Sequence, residues 1–162
     1  MLLYLYGLPG VGKNYIGKIF EEQFKFYFQD ADKYLPYKMK KKLQRGEHFT
    51  KKDVKNYHYI IAKKIYNLNK KYNNLIISQA SLFRNHRQII KDINPLVEFI
   101  YIKSNRDTII NRINKRKGYV TIEYMLHLEQ YLEIDNNDKL IYNKYNDNIL
   151  TIVPQILKIL KF

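Results

Sequence analysis

Three groups of residues in this chain have the types and the spacing to handle phosphate. In the first, Gly7-Leu8-Pro9-Gly10-Val11-Gly12-Lys13, glycines bracket a short turn and a lysine follows directly. Residues without a Cβ let consecutive backbone N–H groups point into one concavity, where an anion can sit. A helix opening at Gly12 adds the positive end of its dipole at the same spot, and Lys13 brings a mobile charge able to reach the β- and γ-phosphates of a nucleotide. The spacing is that of a P-loop, except that Asn14 stands where the motif carries a Ser or Thr hydroxyl for Mg²⁺. Leu8, Pro9, Gly10, Val11, Asn14 and Tyr15 belong to this nucleotide-binding stretch together with Gly7, Gly12 and Lys13. The second group is the carboxylate pair Asp30 and Asp32. The third is basic, Arg112 and Arg116 with Lys117, where the two arginines share a helical side at i and i+4.

Arginine is scarce: 6 residues against 23 lysines. Where lysine is the default cation, arginine marks places that need a planar, bidentate fork. Arg84 and Arg87 stand at the start of a helical pattern. His48, His58, His86 and His127 have no metal-ligand spacing and read as structural or surface residues.

These groups need elements to position them. An apolar run over residues 2–6 reads as a first strand, and apolar positions at helical spacing continue from the loop to about Phe24. Phe26-Tyr27-Phe28 is a short aromatic strand ending in Gln29-Asp30-Ala31-Asp32. In a parallel α/β sheet its C-terminal end lies beside the loop. A short helix and turn occupy the polar stretch 33–50, and Thr50 caps a helix with Val54, Tyr57, Ile61, Ile65 and Leu68 on one face. Residues 75–78 form a third strand and 97–102 a fourth. Helices follow from Arg84 to Pro95, from Ser104 or Asn105 into the Arg112–Gly118 segment, and over about 121–132. A fifth strand at 140–142 and a closing helix over 148–161 complete the chain. Strands alternating with helices in this rhythm imply a parallel sheet in an α/β fold.

At 162 residues the chain is one domain with room for a substantial core. It has no cysteine, which excludes disulfides and thiolate metal sites. No apolar run is long enough for a signal peptide or a membrane span, so a cytoplasmic protein is expected. The net charge of +14 invites a nucleic-acid partner. The lysines are spread over the whole chain rather than gathered on one element, which argues for a solvated surface instead.

The residues quoted resemble the small-metabolite P-loop kinases of the shikimate kinase and gluconate kinase group, most closely the thermoresistant gluconokinase type. Gly7–Lys13, Phe28-Gln-Asp30-Ala-Asp32 with Pro36 downstream, Gly46-Glu47, Phe99–Ile102 and Arg112–Gly118 carry the likeness, which spans nearly the full length. The resemblance implies a nucleoside-monophosphate-kinase-like, three-layer α/β sandwich with a five-stranded parallel sheet of order 2-3-1-4-5. It implies ATP with Mg²⁺ and phosphorylation of a small polyhydroxy acid, by a monomer or homodimer with no membrane attachment.

By position, residues of about 33–70 would bind the acceptor and about 116–132 would form a lid. Asp30, with Asn14, would hold the metal, and Asp32 would meet the acceptor hydroxyl. Arg112 would lie near the adenine or phosphates, Arg116 and Lys117 would close over the transferring phosphoryl, Arg84 and Arg87 stand where the group often grips a substrate carboxylate, and loop 143–147 would flank the adenine. Departures fall on the acceptor side: Leu35 where a histidine is common, Thr50-Lys51-Lys52-Asp53 where an acidic run is expected, and Gln79-Ala80-Ser81 in place of a glycine-rich segment. Alternative readings are a shikimate kinase-like activity, a catalytically weak ATP-binding protein, and a polynucleotide 5′-end kinase.

Overall fold

The computed structural model describes residues 1–116, 118–144 and 148–161. Five strands form one parallel sheet: β1 (Leu2–Tyr6), β2 (Tyr27–Asp30), β3 (Leu75–Ser78), β4 (Val97–Lys103) and β5 (Lys139–Tyr142), in the order β2-β3-β1-β4-β5. Seven helices join or close them: α1 (Lys13–Phe24), α2 (Tyr37–Gln44), α3 (Lys51–Asn69), α4 (Arg84–Ile93), α5 (Arg106–Lys115), α6 (Ile122–Glu129) and α7 (Ile149–Leu160). This is the strand order the resemblance implied.

β1 is buried along its whole length, which is why it reads as a continuous apolar run rather than an alternating one. Its residues still alternate between two cores. Leu3 and Leu5 face one cluster with Ile16, Phe20, Ile109 and Ile152, from α1, α5 and α7. Leu2, Tyr4 and Tyr6 face the other with Tyr57, Ile61, Ile65 and Ile90, from α3 and α4. The sheet is thus covered on both sides, and in such a sheet ligands bind at the C-terminal strand ends.

The register levels those ends. Asp30 pairs with Ser78 and Ser78 with Leu5; beyond them Gln79 donates its N–H to Leu5 and Gly7 donates its own to Ala80. The loop after β1, the carboxylates after β2 and the segment after β3 therefore emerge side by side.

Several local features follow from single residues. Thr50 caps α3 in a reciprocal box with Asp53, as its position predicts. One turn was not legible beforehand: Ala31–Tyr34 forms a 3-10 helix because Asp30 Oδ1 accepts the N–H of Asp32 at 2.9 Å. Gly17 lies where α1 crosses β2, and a Cβ there would stand 2.3 Å from the Phe28 ring. Among the described residues no helix is long and apolar enough to cross a membrane.

Candidate active site

The loop between β1 and α1 is shaped by its glycines. Gly12 has φ +93°, and a Cβ on it would stand 2.3 Å from Asn143 Nδ2, so only glycine fits on both counts. Asn143 in turn donates to Val11 O at 2.9 Å, and Arg112 Nη1 donates to Gly10 O at 3.1 Å. Two elements from the far side of β1 thereby brace the turn from outside. Within it, the N–H groups of Gly10, Gly12, Lys13 and Asn14 make no hydrogen bond among the described residues. They remain as donors at the positive end of α1, the donor set that nucleotide phosphates require. An ATP polyphosphate fits this cradle.

Lys13 curls over the loop and donates to Gly7 O and Leu8 O, both at 2.9 Å. Burial pushes its ammonium down to about 8, against the pull of Asp32 and Asp30, while Arg116 pushes the same way as burial. Asp30, Asp32 and Arg116 therefore all lie within electrostatic reach of Lys13. Asp32 is open to solvent on one side and crowded by protein on the other. Its carboxyl is raised above the usual range by desolvation and by Asp30, and Lys13, Tyr57 and Gln79 oppose the rise.

Asp30 uses both oxygens. Oδ1 takes the N–H of Asp32, and Oδ2 accepts from Asn14 Nδ2 at 2.6 Å. Asn14 Oδ1 accepts from Ser78 Oγ at 2.7 Å. Each carboxylate or amide oxygen has a second lone pair, so Asp30, Asn14 and a phosphate oxygen form the hard-oxygen set that Mg²⁺ takes when it shares a nucleotide. Among the described residues no three His, Asp or Glu side chains group as a metal cage.

One residue that the sequence marked only as part of a departure after the third strand lies against Asp32. Gln79 follows β3, and its Oε1 receives both the N–H and the Oγ–H of Ser81 at 2.6 Å. With the oxygen so engaged, the amide nitrogen is left to face Asp32, where it favours the charged carboxylate. Ser81 has φ +38° and is buried, bonded also to Tyr4 Oη (2.8 Å) and His58 Nε2 (2.9 Å). A buried serine in the left-handed region is held there by its partners, a signal no local pattern carries.

The arginine pair after β3 requires a correction. Arg87 is 4% exposed, and its guanidinium donates to the carbonyls of Ser81, Leu82 and Glu133 and lies 4.1 Å over the Tyr6 ring. Its fork is turned into the protein, onto these three carbonyls and toward Asp138, and away from the phosphate loop. Arg84 is exposed at the start of α4, where its side chain donates to Ile134 O and its N–H to Glu133 Oε2. Both arginines fasten the segment between α6 and β5. Arg116 caps the C-terminus of α5 on the exposed side; Lys117 and residues 145–147, assigned to the lid and the adenine contact, lie outside the described residues. Tyr15 is half-buried on α1 against the core.

A parallel sheet in this order with an open phosphate cradle after its central strand defines a P-loop phosphotransferase. The chain belongs to the shikimate kinase family, whose sequence model it matches over residues 9–156. It is an ATP-dependent small-molecule kinase. Over 122 residues it is 26% identical to thermoresistant gluconokinase of Escherichia coli (strain K12), a match covering 75% of this chain and 70% of that one.

Among solved structures it resembles in fold a sugar kinase from Janibacter (TM-score 0.84, 20% identity, 98% of this chain and 93% of that). It is also similar to a gluconokinase from Sinorhizobium meliloti (0.79, 17%, 97% and 89%). A shikimate kinase from Bacteroides thetaiotaomicron shares the fold as well (0.68, 15%, 100% and 99%).

Proposed function

We propose that this chain transfers the γ-phosphoryl group of ATP, with Mg²⁺, to a hydroxyl of a small hydroxylated acid. The observation that carries the reading is the convergence of Lys13 and Asp32 at the levelled ends of β1 and β2, beside loop amides free to bind phosphate. The acceptor oxygen forms a bond to the γ-phosphorus as the bond from that phosphorus to the β–γ bridging oxygen breaks. ADP leaves, and the hydroxyl proton passes to Asp32.

Positioning and neutralisation supply most of the rate in such a transfer. The loop N–H groups and Lys13 hold the donor, Arg112 and Asn143 keep the loop in shape, and Arg116 approaches the γ-phosphate from the end of α5. Asp32, oriented by Gln79 and Tyr57, aligns the acceptor for in-line attack. Asp30 and Asn14 would hold Mg²⁺ together with the phosphates, where the ion would neutralise further oxygen charge.

Gluconate is the first compound to test, because the curated relative acts under that name. The assay is ADP release against a panel of gluconate, other sugar acids, shikimate and nucleosides. Acceptor-stimulated release is expected, and its absence across the panel with folded protein and Mg²⁺ overturns the reading. Asp32→Asn is expected to lower kcat by about 10²–10⁴ while leaving ATP affinity nearly unchanged. Wild-type turnover in that variant would remove Asp32 from the mechanism.

A second reading, a nucleotide-binding protein with little catalysis, draws support from Asn14, whose amide is engaged by Asp30 and Ser78. It predicts tight ATP binding that is indifferent to Mg²⁺.

A further inference from the structure

We propose that Ser81 and His58 are positioning residues for the transfer, acting through the amide of Gln79. This rests on the kinase reading above and deepens it, adding a buried layer behind the groups that meet the reacting atoms.

Tyr4, His58, Gln79 and Ser81 are all buried, where a polar group without a partner is costly. Their contacts centre on one hydroxyl. Ser81 Oγ lies 2.6 Å from Gln79 Oε1, 2.8 Å from Tyr4 Oη and 2.9 Å from His58 Nε2. A hydroxyl has one proton and two lone pairs. Gln79 Oε1 only accepts, so the proton goes there, and Tyr4 and His58 must each donate to Ser81. With both lone pairs taken, the hydroxyl has a single direction left in which to donate.

The N–H of Ser81 points at the same Gln79 oxygen, also at 2.6 Å. Ser81 holds this double contact at φ +38°, a backbone conformation that persists in a serine only where its surroundings enforce it. The backbone of Gln79 is fixed as well, since it follows Ser78 in the register with Asp30 and donates its N–H to Leu5 O. What is left to set is the amide, and Ser81 sets it. Tyr57, the neighbour of His58 on α3, donates to Ala31 O at 2.8 Å and reaches Asp32 Oδ1 at 3.5 Å. One turn of α3 thus holds the carboxylate directly and, through Ser81, the amide beside it.

The proton inventory gives His58 a defined state. Val54 O, 2.8 Å from Nδ1, also takes a proton from the ring, and burial keeps the imidazole neutral by pushing it down to about 4. A neutral ring has one proton for two contacts. With that proton on Nδ1, Nε2 becomes an acceptor and draws the Ser81 proton away from Gln79. The two bonds onto Gln79 therefore require it on Nε2. His86, stacked on the ring at 4.5 Å, and Tyr57, edge-on at 5.9 Å, hold its plane.

The test is ADP release in a double-variant cycle of Ser81→Ala and Gln79→Ala, with the acceptor of the panel that wild type uses fastest. Ser81→Ala is expected to lower kcat about tenfold with little change in KM for ATP, and the double variant to be no slower than Gln79→Ala alone. His58→Met should also slow turnover. His58→Gln, of similar length but with an amide nitrogen able to donate from the Nε2 position, should recover most of the loss, which a packing role alone would not explain. In wild type without nucleotide, the nitrogen chemical shifts of the His58 ring should place its proton on Nε2, a result independent of how the variants fold. The proposal is overturned if the effects of Ser81→Ala and Gln79→Ala multiply, if Ser81→Ala turns over like wild type, if His58→Gln is as slow as His58→Met, or if the proton lies on Nδ1. Failure of the kinase reading is seen in wild type alone, as missing ADP release with every acceptor, and takes this proposal with it.

Discussion

The side-chain amide of Asn14 bridges Asp30 and Ser78, donating from Nδ2 to Asp30 Oδ2 at 2.6 Å and accepting at Oδ1 from Ser78 Oγ at 2.7 Å. Its orientation follows from its partners, since a carboxylate only accepts and the amide nitrogen only donates. The residue that departs from the P-loop pattern thus joins α1 to the ends of β2 and β3.

Asn14→Ser should ease metal use. A serine restores the hydroxyl of the motif and releases Asp30 Oδ2 from the amide. The Mg²⁺ concentration at half-maximal rate is expected to fall several-fold, read from initial rates at fixed ATP. An unchanged metal dependence would show that Asn14 does not touch the metal site.

ATP affinity should weaken as pH rises through about 8, where Lys13 loses its proton in the free protein. Phosphate favours the ammonium form, so the dissociation constant should rise toward ~10-fold per pH unit above that point. Lys13→Met should bind weakly at every pH and lose this slope. The effect on stability has its own sign. The folded pKa lies below the unfolded one, so between about 8 and the ordinary lysine value the unfolded chain binds more protons, and stability rises with pH.

Asp32→Asn should raise the thermal midpoint at neutral pH. The carboxyl pKa is raised on folding, chiefly by desolvation and then by Asp30. Its contribution to stability is therefore present below the unfolded value and is lost as pH rises through the folded one. At neutral pH the charged form costs stability that the amide does not. A lower midpoint in the variant would mean that the partners of Asp32 outweigh its burial.

Gln79→Glu should move the acidic limb of the kcat/KM profile to higher pH. Glutamate keeps acceptors for the N–H and Oγ–H of Ser81 but replaces the amide donor facing Asp32 with a second negative charge. Both changes favour the protonated form of Asp32. A profile that keeps its acidic limb, with a simple loss of amplitude, would leave Gln79 with a structural role alone.

Arg87→Lys should cost about 2–5 kcal/mol of stability, read by urea unfolding. A single ammonium cannot reach the carbonyls of Ser81, Leu82 and Glu133 together, nor cover the Tyr6 ring. ATP affinity should change far less than the urea midpoint.

Much of the fold was legible because its signals are local. The apolar run of β1, the Thr50 cap of α3 and the alternation of strand with helix each depend on neighbours within a few residues, and each element forms where the pattern places it. The strand order came with the resemblance and is observed. The segment expected as a lid was less legible: its helix, expected over about 121–132, is Ile122–Glu129 and packs on α5.

For the site, the sequence by itself determined the phosphate loop, since Gly7, Gly12 and Lys13 act through backbone geometry that spacing alone specifies. It also placed Asp30 and Asp32 at a strand end. Only the tertiary structure decided the direction in which each side chain faces. Arg84 and Arg87 are neighbours on one helix, yet packing turns Arg87 inward onto three carbonyls and leaves Arg84 at the surface. Gln79 becomes a site residue only because Ser81, His58 and Tyr4, from three separate elements, fix its amide. Likewise His48, His86 and His127, which have no meaningful spacing, come together on one cavity between α3, α4 and α6. Spacing along a chain reports what a backbone can do locally; long-range contact decides which donors are already satisfied and which remain for a ligand.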